Sequence, residues 1–203
     1  MQADMTAHRL RIVPERCSRG KESFPRTRNY ALKTRCPPSH PGLIGEIDAS
    51  SRVVQEALDD IESYPSFTPY TTECRLLKRE PDSVIAYQRF SPRICCDRDY
   101  TLRVYRASRP VADGLVYSSR WESANDLGPA KKLGVVRVGV CEGTWLLEPD
   151  SANKTRATYS IYTDTGGLVP SFLANHFSQV AIAKLFVAIR QQVKQPKYNV
   201  AVR

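Results

Sequence analysis

From Leu43 onward, apolar and polar residues alternate in short blocks separated by turn residues, the period-two signature of strands with one buried face. Residues 154–163 (KTRATYSIYT) show it most clearly, and residues 73–79, 83–90, 97–106, 115–123 and 135–149 repeat it. The breaks fall at Pro81-Asp82, Ser91-Pro92, Asp113-Gly114, Gly128-Pro129 and residues 150–153, all of them turn chemistry. Connections of hairpin length imply an antiparallel meander. A shorter strand is predicted at residues 43–48 (LIGEID).

The period changes to that of a helix in two places. After Ser50 and Ser51, either of which can cap a helix, Val53, Val54, Ala57, Leu58 and Ile61 form an apolar face. Pro65 disfavours helical geometry at the residue before it, so this helix is predicted to stop near Tyr64. Near the C-terminus, the Gly166-Gly167 turn and Pro170, suited to a first helical turn, predict a helix over residues 170–193. His176, Gln179 and Arg190 make a narrow polar stripe on it, and Leu173, Phe177 and Val180 belong to the apolar remainder. Lys184 interrupts the apolar arc and is read as a lysine with its stem on apolar surface and its ammonium in water.

The 203 residues suffice for one domain with a substantial core. The formal net charge of +9 is concentrated in the first 35 residues, where nine Lys or Arg face Asp4, Glu15 and Glu22; the other 168 residues carry +3. Residues 1–42, proline-containing and without apolar period, read as a basic, mostly irregular segment. Six cysteines without a C-x-x-C, and three histidines outside any ligand spacing, give no disulfide framework and no metal site. No cofactor is expected. Without an apolar stretch of membrane-spanning or signal-peptide length, a cytoplasmic monomer with reduced thiols is expected.

A curved antiparallel sheet closed by one long apolar helix must enclose something between them. The strands supply Tyr87, Tyr105, Tyr117, Trp121, Trp145, Tyr159 and Tyr162 as candidate walls of an apolar site. Cross-strand packing is the alternative for each.

The order of Cys96-Asp97-Arg98-Asp99-Tyr100, then residues 143–149 (GTWLLEP), then Asp164-Thr165-Gly166-Gly167, then residues 170–175 (PSFLAN) resembles the landmarks of the START lipid-transfer domain, a branch of the helix-grip (SRPBCC) superfamily. The resemblance runs from about Leu43 to Val193, and residues before Leu43 do not match the family's first helix and strands. It divides the chain into the basic segment, a START-like domain at residues 43–195 and a short tail at 196–203. The fold implied is α+β: a curved antiparallel sheet wrapped around a long C-terminal helix, with an internal apolar cavity. The function implied is binding of one lipid or other hydrophobic small molecule, for transport between membranes or for sensing. The candidate contacts are Tyr87, Arg103, Tyr105, Trp121, Arg137, Trp145, Tyr159, Leu173, Phe177 and Val180. Arg103 and Arg137 would meet a polar head group if they point inward, and form surface ion pairs if they point outward.

Two other readings stay open. The superfamily includes aromatase/cyclases, whose acid–base chemistry would here fall to Asp99, Arg103, Glu142, Tyr105 or Tyr159. The domain itself is not expected to bind nucleic acid, but the basic segment could associate with nucleic acid or transiently with an anionic membrane, in a salt-sensitive way.

Overall fold

The computed structural model describes residues 42–92, 96–164 and 171–199 together with residues 11–13; at residues 11–13, 42 and 171–179 the description is of backbone only. The Gly166-Gly167 turn, Pro170, and the side chains of Leu173, His176, Phe177 and Gln179 lie outside it.

The strands are β1 (Arg11–Val13), β2 (Gly42–Ile47), β3 (Thr71–Arg79), β4 (Ser83–Phe90), β5 (Arg98–Val111), β6 (Gly114–Ser123), β7 (Val136–Arg137), β8 (Val140–Ser151) and β9 (Lys154–Asp164). Their order in the one sheet is β1-β2-β9-β8-β6-β5-β4-β3, antiparallel throughout, with β7 added parallel to the start of β5. The expected meander is therefore the run from β3 to β9, and β2 joins it by pairing with β9, Leu43 opposite Tyr159. The long block at residues 135–149 divides at Val138 and Gly139 into β7 and β8. Three residues of the segment read as mostly irregular, Arg11–Val13, pair with β2 at the sheet edge.

Helix α1 (Ser51–Asp59) starts at Ser50, whose hydroxyl accepts from Val53 N. It ends earlier than the sequence suggested. The chain turns at Asp60, passes through one 3-10 turn at Ile61–Ser63 and re-enters helical geometry as α2 (Tyr64–Phe67). Pro65 thus opens a helix instead of ending one, because in a first turn its missing N–H has no partner to lose.

Helix α3 (Ser171–Gln192) lies against the sheet, burying Ile182, Phe186 and Ile189, with Val193 just after it, among Trp145, Leu147, Ala157 and Tyr159. Val54, Ala57 and Leu58 of α1 join the same core. Burial is less extensive than the apolar arc of α3 implied. Val187 is 52% exposed and Val180 36% exposed, on a stripe that also carries Lys184.

Pro196–Tyr198, which begins the segment read as a tail, folds back as a 3-10 turn. Tyr198 is buried, donates to Asp60 Oδ2 at 2.7 Å and accepts from Gln192 Nε2 at 2.9 Å. The end of α3 is thereby tied to the end of α1.

Candidate functional site

Alternation along each strand decides which side chains meet α3. From β5, Arg98, Tyr100, Leu102, Val104 and Arg106 turn inward; from β4, Ala86, Gln88 and Phe90; from β6, Ser119 and Trp121. Cys141 and Trp145 of β8 and Tyr159, Ile161 and Thr163 of β9 continue the wall. Ala181, Ile182, Leu185 and Ile189 of α3 face it, at the spacing of one helical face. With α1, α2 and the turn leading into β3, these groups line a cavity of about 350 Å³.

Aromatic rings define its far wall. Trp121 stacks on Tyr159 with centroids 5.6 Å apart, and Trp145 lies 4.4 Å from Tyr159 and 5.3 Å from Phe186. Such pairs contribute about 0.5–1.5 kcal/mol each beyond area burial. The stack depends on Gly143, because a Cβ there would stand 2.4 Å from the Trp121 ring and 2.3 Å from the carbonyl oxygen of Ser160. Phe90 and Tyr100, 5.7 Å apart, form another part of the wall.

Few polar groups enter, and most are already engaged. Gln88 Nε2 donates to Thr71 Oγ1 at 2.9 Å, and Tyr64 Oη donates to Leu58 O at 2.6 Å. Arg106 Nε pairs with Asp59 Oδ1 at 2.7 Å. Burial in these apolar surroundings raises the hydroxyls of Tyr100 and Tyr159, and pushes the Cys74 thiol up to about 12 and the Cys141 thiol to about 11. All four are held protonated at neutral pH. At one end, Tyr70 takes a left-handed backbone conformation (φ 64°), and its hydroxyl accepts from Lys184 Nζ at 2.7 Å. Lys184 is exposed, as its sequence position suggested.

Of the candidate contacts, Trp121, Trp145 and Tyr159 stand on the cavity wall. Five do not. Tyr87, Arg103 and Tyr105 have the opposite strand parity; Arg103 lies near Glu80 (3.5 Å) and Tyr105 donates to Glu122 Oε1 at 2.9 Å. Arg137 is half-buried, but in an ion pair: its Nε and Nη2 donate to the two Asp99 oxygens at 2.6 and 3.1 Å, and Tyr87 Oη donates to the same carboxylate at 3.1 Å. Val180 is on the exposed stripe of α3. The backbone of Leu173 and Phe177 is helical, and their side chains lie outside the description.

The groups that acid–base chemistry would draw on divide in the same way. Asp99, Arg103, Tyr105 and Glu142 do not line the cavity, whereas Tyr159 does. Among the wall positions missed from the sequence are Arg98 and Arg106, the charged ends of the inward row whose middle is Tyr100, Leu102 and Val104. Their signal was present: they share the parity of the apolar residues on β5, whereas Arg103 does not.

Residues 47–189 match the family described as polyketide cyclase/dehydrase and lipid transport. A STAR-related lipid transfer protein from Xanthomonas axonopodis has the same fold, with a TM-score of 0.66 and 26% identity over 77% of this chain and 87% of that one. Human STARD10 superposes with a TM-score of 0.69 at 19% identity, covering 83% of this chain and 69% of that one. An uncharacterized protein of Pseudomonas aeruginosa is 28% identical over 135 residues, 66% of this chain and 65% of its own length. An aromatase/cyclase from a Streptomyces species, Zhui, shares the fold at a TM-score of 0.50 and 18% identity, over 81% of this chain and 96% of that one. These neighbours bear out the helix-grip architecture read from the sequence. Among the described residues no helix is long and apolar enough to cross a membrane.

Proposed function

The chain belongs to the polyketide cyclase/dehydrase and lipid transport family, and from that premise we propose that it encloses one hydrophobic small molecule between its sheet and α3, for carriage between membranes or for sensing. The observation that carries this reading is the cavity of about 350 Å³ walled by Phe90, Tyr100, Trp121, Trp145 and Tyr159. Its size falls within the range of small-molecule sites, which run from about 300 to 1,000 Å³. Each methylene moved there from water contributes about 0.8 kcal/mol, so a ligand of ten carbons binds through burial before any polar contact is made. The volume favours a compact or single-chain occupant over a two-chain phospholipid. The lipid transfer named for the Xanthomonas protein agrees with this reading.

The neutral apolar fluorophore N-phenyl-1-naphthylamine tests it. Titration into the purified, organically extracted protein is expected to saturate at one molecule per chain and to quench Trp121 and Trp145. Emission that rises without saturation, or that leaves the tryptophans unchanged, would refute the proposal.

A further inference from the structure

The cavity carries a cation that is already matched. Arg106, near the middle of β5, and Asp59, the last residue of α1, both line it, with Arg106 Nε 2.7 Å from Asp59 Oδ1. Asp59 Oδ1 accepts a second bond from Gln55 Nε2 at 2.9 Å, which fixes the carboxylate from the helix side. Ser119, directly opposite Arg106 in the β5–β6 ladder, brings a hydroxyl to the same end of the cavity. The next inward-facing pair along the ladder, Val104 and Trp121, is apolar, so the polar groups form a cap on an otherwise greasy and aromatic volume. This cap combines a donor, an acceptor and a hydroxyl, and the pair at its centre sums to no net charge.

From this arrangement we propose that Asp59 makes the cavity select neutral amphiphiles over carboxylates. The inference rests on the carrier reading above. A hydroxyl or carbonyl at the head of an apolar ligand can donate to Asp59 or accept from Arg106 or Ser119 without adding charge. A carboxylate arriving at the same place meets Asp59 at close range, and finds the charge of Arg106 already balanced by it. Like charges brought together at this partly exposed pair are unfavourable, and either partner left unpaired loses its compensation. Arg106 alone would attract acids; Arg106 with Asp59 does not.

The other arginine on the wall is Arg98, at the opposite end of the inward row and about 26 Å away along the strand. Its guanidinium is buried and donates to Cys96 O at 3.0 Å, within the connection that leads into β5. Recognition of a carboxylate at that end is the alternative the experiment must separate.

The test is competition of 1-decanol and sodium decanoate against N-phenyl-1-naphthylamine at neutral pH, in the wild-type protein and in Asp59→Asn, Asp59→Glu and Arg98→Gln. The two competitors differ in hydrophobicity, so the decisive quantity is the ratio of their inhibition constants between proteins. In Asp59→Asn, decanoate is expected to bind at least about tenfold more tightly than in wild type, while decanol changes by less than about threefold. Asp59→Glu keeps the wild-type ratio, and Asp59→Ser replaces the asparagine variant if that one fails to fold. An unchanged ratio in Asp59→Asn, or loss of decanoate binding in Arg98→Gln, overturns the charge selection and leaves the carrier reading standing. Failure of the fluorophore and both competitors to bind in the wild type overturns both.

Discussion

The two faces of β5 are built from adjacent residues and do opposite things. Tyr100, Leu102 and Val104 turn toward α3 and leave space beyond them, whereas Asp99 and Thr101 turn away and are covered by the connection between β6 and β8. On that covered face most polar groups are paired with one another, the Thr101 hydroxyl excepted. Asp99 receives Arg137 and Tyr87, Asn125 accepts from Thr101 N and donates to Val138 O, and Val138 N donates to Asp99 O. On the cavity face apolar side chains border a cavity of about 350 Å³. The difference separates a buried charge used as a fixture from apolar surface that borders open space, and it places Arg137 with the fixture and not with the cavity.

The largest effect is expected on the covered face. Asp99→Ala strands the Arg137 guanidinium and should cost about 3–5 kcal/mol of stability in urea unfolding, with fluorophore affinity per folded molecule unchanged. An equal fall in affinity would show that the knot and the cavity are not separable. Gly143→Ala attacks the other face. The added methyl meets the Trp121 ring and a backbone carbonyl, so a loss of about 1–3 kcal/mol should come with weaker fluorophore binding as Trp121 is pushed from its place. Full retention of binding would contradict the wall assignment.

The buried thiols give a pH signature of intermediate size. Cys74 and Cys141 have folded-state values raised by burial to about 12 and about 11, against about 8.5 for a free thiol. A raised value means that the protein binds protons which the unfolded chain has released. The stability contributed is therefore complete below about pH 8.5 and is lost as pH rises from there through the folded values. The unfolding free energy from urea titrations should fall between pH 8.5 and 10, by about 1–2 kcal/mol per thiol at the upper limit. A Cys74→Ala, Cys141→Ala double variant should lose most of that slope. Smallest of all, Arg103→Gln is expected to change neither urea midpoint nor fluorophore affinity, since Arg103 lies outside the cavity near Glu80.

Strand positions and the meander were legible because alternation and turn residues are local signals: the expected strand at residues 83–90 coincides with Ser83–Phe90, and that at 154–163 falls one residue short of β9. The candidate site was only half legible. Trp121, Trp145 and Tyr159 stand out by size, but size does not report which face a residue occupies, and Tyr87 and Tyr105 share it. Parity would have removed Arg103 and supplied Arg106. It could not have assigned Arg137, whose place is set by a partner 38 residues away in sequence. Nor could it have foreseen Pro65 opening α2, because that turns on where α1 stops, and Asp60 sits there with its carboxylate bonded to Tyr198.

The central claim, that space is kept open between sheet and helix for one molecule, is tested most directly by native mass spectrometry of the protein as purified from cells. One adduct of a few hundred daltons per chain, removed by organic extraction and restored by adding a neutral amphiphile, is the predicted result. A single unliganded mass that neither extraction nor added amphiphile alters would contradict it.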